Sequence, residues 1–109
     1  MNEQLTLSPV HRHDPAESVL AARKVRATRQ LERVLLCLYQ SDRPLTDDEL
    51  GEQCGLLRHS AGTRRGVAVR MGLVERAGTG VTPRGNPCAT WRLTEQGLRI
   101  AAELARDAA

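Results

Sequence analysis

The chain has 109 residues, enough for one domain, and its two aromatic residues are Trp91 and Tyr39, with no Phe. Its core must then be built from Leu, Val and Ala, which suits packed helices better than a large sheet and offers no aromatic-lined small-molecule pocket. Net charge is only +3 but is unevenly placed: Arg58 to Arg92 holds seven Arg against Glu75 alone (+6), and Asp42 to Glu52 holds five acids against Arg43 (−4). Such a split leaves one face suited to a polyanion. No apolar run nears the ~18 residues of a membrane span, and no leader-like segment is seen. A soluble, cytoplasmic protein with no membrane partner is expected.

In chain order, residues 1–13 are polar and unpatterned, which predicts a flexible arm. Residues 14–109 are expected to form the domain. Asp14-Pro15 reads as an N-cap followed by proline at the first helical position, opening a short helix over 15–27. Leu31, Val34, Leu35 and Leu38 then follow the spacing of an amphipathic helix. Ser41-Asp42-Arg43-Pro44 ends it, and Leu45 is placed for a very short strand.

Thr46-Asp47-Asp48-Glu49 has the form of a capping box, with two further acids in the first turn to complement the helix dipole. Gly55 is placed as a left-handed C-cap, giving a helix of about two turns. A tight turn through Leu56 and Leu57 follows, and a second helix is expected near 59–71, starting at His59 or Ser60. Its inward positions are Ala61, Arg65, Ala68 and Val69. Its outward set is His59, Ser60, Gly62, Thr63, Gly66 and Arg70, with Arg64 at the boundary. That set is small, polar or basic, as entry into a groove about 12 Å wide requires. Gly62 and Gly66 each cost roughly 1 kcal/mol of helix propensity relative to Ala. They permit close approach of another backbone, or are simply points of weakness. Arg65 in a core position either packs its stem and frees its head or pairs with an acid of residues 47–53.

Gly72 closes that helix. Leu73, Val74 and Arg76 suggest a first strand with Val74 inward, and residues 77–87 suggest a flexible polar loop. Ala89, Trp91 and Leu93 alternate with Thr90 and Arg92, a half-buried strand in which Trp91 plugs the core. Thr94 caps a last helix over 95–107, lined by Leu98, Ala101, Ala102, Leu104 and Ala105. The fold class is therefore mainly α (α+β): a helix-turn-helix with a two- to three-stranded wing over 76–88 and flanking N- and C-terminal helices.

Cys37 and Cys54 fall at apolar helix positions, and with Cys88 they show no metal-binding spacing, so reduced thiols and no metal or other cofactor are expected. His59 and Ser60 are adjacent and diverge on a helix, with no carboxylate spaced to orient the His, so no catalytic residues are expected and the protein is not read as an enzyme.

Two stretches carry a family resemblance. Leu45-Thr46-Asp47-Asp48-Glu49-Leu50, followed by Gly55-Leu56, the arginine-rich helix and Gly72-Leu73-Val74-Glu75, resembles MarR-like winged helix-turn-helix regulators. Trp91-Arg92-Leu93-Thr94-Glu95-Gln96-Gly97 resembles their junction between wing and last helix. The chain also looks like small winged-helix proteins of actinobacteria and their phages, which share a front segment like Asp14-Pro15-Ala16-Glu17-Ser18-Val19. It departs from the pattern at His59, where a Ser or Thr cap is usual, and at Arg65, where an aliphatic residue is usual. The resemblance implies a transcriptional regulator that binds double-stranded DNA in a bacterial or phage-infected host cell; since one small module is a weak reader, pairing as a homodimer through the N- and C-terminal helices is the natural way to gain affinity. It implies that Arg58 or Arg64 contacts a guanine and that His59, Ser60, Gly62, Thr63 and Arg70 face the major groove. Thr79, Thr82 and Arg84 would then lie on the backbone or in the minor groove, with Asp47 and Asp48 turned away from the phosphates or at least not touching them. The alternative is a winged-helix adaptor that docks protein, such as polymerase or replication machinery, instead of DNA.

Overall fold

The computed structural model describes residues 29–108. The expected arm over 1–13 and helix over 15–27 lie outside the described residues. Helix α1 spans Arg29–Gln40 and buries Leu31, Val34, Leu35 and Leu38, the four residues of the apolar stripe. Helix α2, Asp47–Cys54, begins at the full capping box: the Glu49 amide donates to Thr46 Oγ1 at 3.2 Å, and the Thr46 amide donates to Glu49 Oε1 at 2.8 Å. Gly55 ends it at φ 72° and ψ 33°. The Arg33 guanidinium of α1 donates to the Cys54 carbonyl, so an end otherwise rich in unpaired acceptors is tied to its neighbour.

Helix α3, Arg58–Arg70, starts one residue earlier than expected and buries Ala61 and Ala68. Leu57 occupies its N-cap without a side-chain hydrogen bond. Its close crossing over α2 depends on Gly51, where a Cβ would lie 2.9 Å from the Leu56 carbonyl oxygen and 3.3 Å from Arg58 Cα.

The sheet departs most from expectation. Strand β1 runs Val74–Val81 and pairs antiparallel with β2, Pro87–Leu93. Most of the expected loop over 77–87 is thus strand, with a bulge between Arg76 and Gly78. The ladder is made of backbone groups, so a Gly-rich segment can pair wherever its partner strand is held. Gly80 is there for space rather than flexibility: a Cβ would stand 3.0 Å from Thr90 Cγ2 and 3.1 Å from Thr46 Cγ2. The true loop is 82–86, closed by Thr82 N–H to the Asn86 carbonyl at 2.7 Å and Asn86 N–H to Thr82 Oγ1 at 3.1 Å. A third strand is reduced to one bridge, in which Leu45 and Trp91 exchange both backbone hydrogen bonds.

Helix α4, Glu95–Ala108, is capped by Thr94, whose Oγ1 accepts from the Gly97 amide at 3.0 Å and donates to the Gly72 carbonyl at 2.7 Å. Its buried stripe is Gly97, Ile100, Ala101 and Leu104, packed on α1. Leu98, expected inward, is 49% exposed. A Cβ on Gly97 would run into the Leu73 carbonyl. That contact sets the helix's rotation, turning Ile100 in and Leu98 out.

Candidate nucleic-acid interface

The cap of α2 sets where the arginine helix can lie. Asp47 and Asp48, the first two residues of α2, both reach across to α3. Arg65 donates through Nε to Asp47 Oδ1 at 3.0 Å and through a terminal nitrogen to Oδ2 at 2.7 Å, a bidentate pair with each side chain about a fifth exposed. The same guanidinium stacks over the Trp91 ring, 4.0 Å from its centroid. Of the two roles open to Arg65, it thus takes the pairing one, and it ties α2, α3 and β2 together. Trp91 is half-buried against the core as expected, with Arg65 as its lid. Gly62 is explained by the same pair: a Cβ there would stand 3.1 Å from Asp47 Oδ2.

Arg58, His59, Thr63 and Arg70 are exposed on α3, and Ser60, Gly62 and Gly66 are half-buried. Thr63 Oγ1 donates to the His59 carbonyl at 3.0 Å, which leaves its lone pairs free as acceptors. Arg70 folds back beside Gly66, with a terminal nitrogen 3.7 Å from where a Cβ would be. Arg64 follows Ala61 by three residues and precedes Ala68 by four, so it leans towards the buried side. It is half-buried, and its Nε is buried with no hydrogen-bond partner. Of the two arginines expected to contact bases, Arg58 is therefore the presented one.

On the wing, Thr79 accepts from Arg76 at 3.1 Å and Thr82 stitches the tip, so both hydroxyls serve the hairpin's own shape. Arg84 is exposed at the tip and makes no ion pair among the described residues. The wing folds back so that Thr82, Arg84 and Asn86 share a hollow with Arg58 and Asp48. A second hollow is lined by Asp47, Arg58, His59, Gly62 and Thr63. The start of α3 and the wing tip thus form one surface.

Asp47 and Asp48, expected to face away from the phosphates or at least not to touch them, line the two hollows of this surface. Asp48 pairs with Arg58 Nε at 3.1 Å. Residues at the start of a capped helix face whatever crosses that start, here α3, and spacing within α2 carries no trace of that crossing. Arg76, which braces the wing through Gly78 and Thr79, was likewise absent from the expected contacts.

Glu49 has its pKa lowered, first by the Thr46 amide it accepts from and then by Arg43, 3.0 Å away, with partial burial opposing. Burial, and next the neighbouring Cys37, push the Cys54 thiol up to about 12, so it stays protonated. Among the described residues, no group of three or more His, Cys, Asp or Glu is arranged to hold a metal ion, and no helix is long and apolar enough to cross a membrane.

No protein-family model matches the chain, and no curated protein matches it. Solved structures do. A MarR family transcriptional regulator from Silicibacter pomeroyi superposes with TM-score 0.60 at 22% identity, over 84% of this chain and 63% of its own. The adhesin competence repressor of Streptococcus pyogenes gives 0.62 at 21%, over 83% and 63%. A MarR family regulator from Neisseria meningitidis gives 0.60 at 22%, over 83% and 63%. The fold is a winged helix-turn-helix. Helices α2 and α3 form the helix-turn-helix, and β1 and β2 form the wing. The chain spans under two thirds of the length of these three neighbours.

Proposed function

We propose that this winged helix binds double-stranded DNA in a sequence-specific way and acts as a transcriptional regulator in the cytoplasm of a bacterial or phage-infected host cell. The observation that carries the reading is the convergence of the α3 start and the wing tip, with Arg58 and Arg84 lining one hollow. A helix of 13 residues is about 20 Å long, which suits a major groove. Arg58, His59, Thr63 and Arg70 would face the bases and phosphates, with Ser60, Gly62 and Gly66 allowing close approach and Arg64 reaching out from the flank. Arg84 would meet the backbone or the minor groove, with Thr79 and Thr82 shaping the wing that carries it. A guanine contact by Arg58 is worth about 1–3 kcal/mol of discrimination.

One small module reads DNA weakly, so two copies paired through α4, and through the helix expected over 15–27 outside the described residues, fit this role. Exposed Leu98 on α4 suits such a contact. The transcriptional role of the structural neighbours supports the reading.

The test is selection of bound sequences from random duplex DNA at two salt concentrations. A symmetric motif, with affinity falling steeply as salt rises, is expected. Arg84→Ala should lower affinity several-fold and Arg99→Ala should leave it unchanged. An empty selection, or binding indifferent to salt, refutes the reading.

A second reading has its own observation. Acids are interleaved with the basic face, and Arg58 and Arg65 are both already paired. A surface of mixed charge suits a protein partner, and the adaptor reading then follows. It predicts that charge reversal at Arg84 leaves partner binding intact.

A further inference from the structure

The Asp48–Arg58 pair does more than hold a surface arginine. Asp48 is the second residue of α2, fixed by the capping box, and its side chain is only a quarter exposed, whereas that of Arg58 is two-thirds exposed. The rigid partner is the acid. Its Oδ1 stands 3.1 Å from the Nε of Arg58, an ion pair that draws the guanidinium towards Asp48. With the Nε side drawn to the carboxylate, the two terminal nitrogens are the part of the fork left for a guanine. The carboxylate also lies in the hollow it shares with Arg84, where a backbone phosphate would have to come.

We propose that Asp48 is a specificity-determining residue that acts through Arg58; the proposal rests on the DNA-binding reading. Two effects point the same way. Sequence-independent binding is almost wholly attraction to phosphate, and a fixed carboxylate beside Arg58 and Arg84 weakens it in every register. Base readout depends on the aim of the guanidinium, and Asp48 restricts that aim. Asp48 thus widens the gap between the cognate site and arbitrary DNA from both sides.

The experiment compares the full chain with Asp48→Asn, Arg58→Ala and the double variant. Binding is measured to the selected site, to that site with single G·C pairs replaced, and to a scrambled duplex of equal length, at two salt concentrations. Asp48→Asn should bind the scrambled duplex about two- to fivefold more tightly, the range an exposed ion pair supports. It should also lose most of its preference at one G·C pair. With Arg58 already alanine, the Asn change should leave base preference untouched. Thermal melting checks that each variant is folded, and Asp48→Ser, which keeps an acceptor at the helix start, replaces Asp48→Asn if that variant does not fold. A wild-type protein that binds DNA while Asp48→Asn keeps the same ratio of cognate to scrambled affinity overturns the proposal and leaves the function standing. The same shift in base preference with and without Arg58 also overturns it. A wild-type protein with no salt-dependent DNA binding overturns both.

Discussion

Replacing Arg65 with methionine keeps a long apolar stem and removes the charge. The variant leaves Asp47 without its two hydrogen bonds, from Nε at 3.0 Å and a terminal nitrogen at 2.7 Å, and leaves Trp91 without its stacked cation. Exposed ion pairs are worth about 0–1 kcal/mol, while breaking a fully buried pair costs about 3–5. With the two side chains 21% and 23% exposed, this pair falls between those limits. The lost cation–π contact adds about 0.5–1 kcal/mol. A destabilisation of about 2 kcal/mol follows, which for a domain of this size lowers Tm by roughly 8–16 °C. The assay is a double-mutant cycle of Arg65→Met, Asp47→Asn and both together, read by urea unfolding and thermal melting. Coupling of about 1–2 kcal/mol is expected. Because the pair sets the angle of α3 against α2 and β2, DNA affinity measured well below Tm should fall too. Coupling under about 0.5 kcal/mol, with a Tm change of a few degrees, would show the pair to be a loose surface contact and refute its bracing role.

Two glycines of α3 should separate. Gly66→Ala meets nothing closer than a flexible Arg70 nitrogen at 3.7 Å, so it should gain about 0.5–1 kcal/mol of stability. It should nevertheless weaken DNA binding several-fold if the backbone needs close approach there; unchanged affinity would leave plain helical weakness as the reason for the glycine. Gly62→Ala should gain nothing, because the new Cβ crowds the braced Asp47 carboxylate at 3.1 Å. Glu49→Gln tests the cap. The folded-state pKa of Glu49 is lowered, so the stability its charge contributes is present above the unfolded value of about 4.5 and is lost as pH falls through the lower folded value. Wild type should therefore lose more stability than Glu49→Gln between pH 6 and pH 3, and parallel pH profiles by chemical denaturation would refute the assignment.

Much of the helical half was legible in the residues themselves. The stripe Leu31, Val34, Leu35 and Leu38, the Thr46–Glu49 box, the Gly55 cap and the Thr94 cap are all written in spacings of three or four residues. The chemistry of such features lies within one turn, so sequence alone determines them. The wing was less legible. A Gly-rich strand has little side-chain pattern, and its pairing depends on β2 and on Thr46 closing over Gly80.

The site divides the same way. Sequence marked the arginines of 58–70 and the wing arginine 84 as basic groups, because charge is a property of the residue. Only the tertiary structure decided which are presented. It turned Arg65 onto Asp47 and Trp91, left Arg64 half-buried on the flank, and brought Asp48 beside Arg58 and Arg84. Those arrangements join residues 10 to 36 positions apart. No local periodicity encodes them, since they exist only once α2, α3 and the wing have packed.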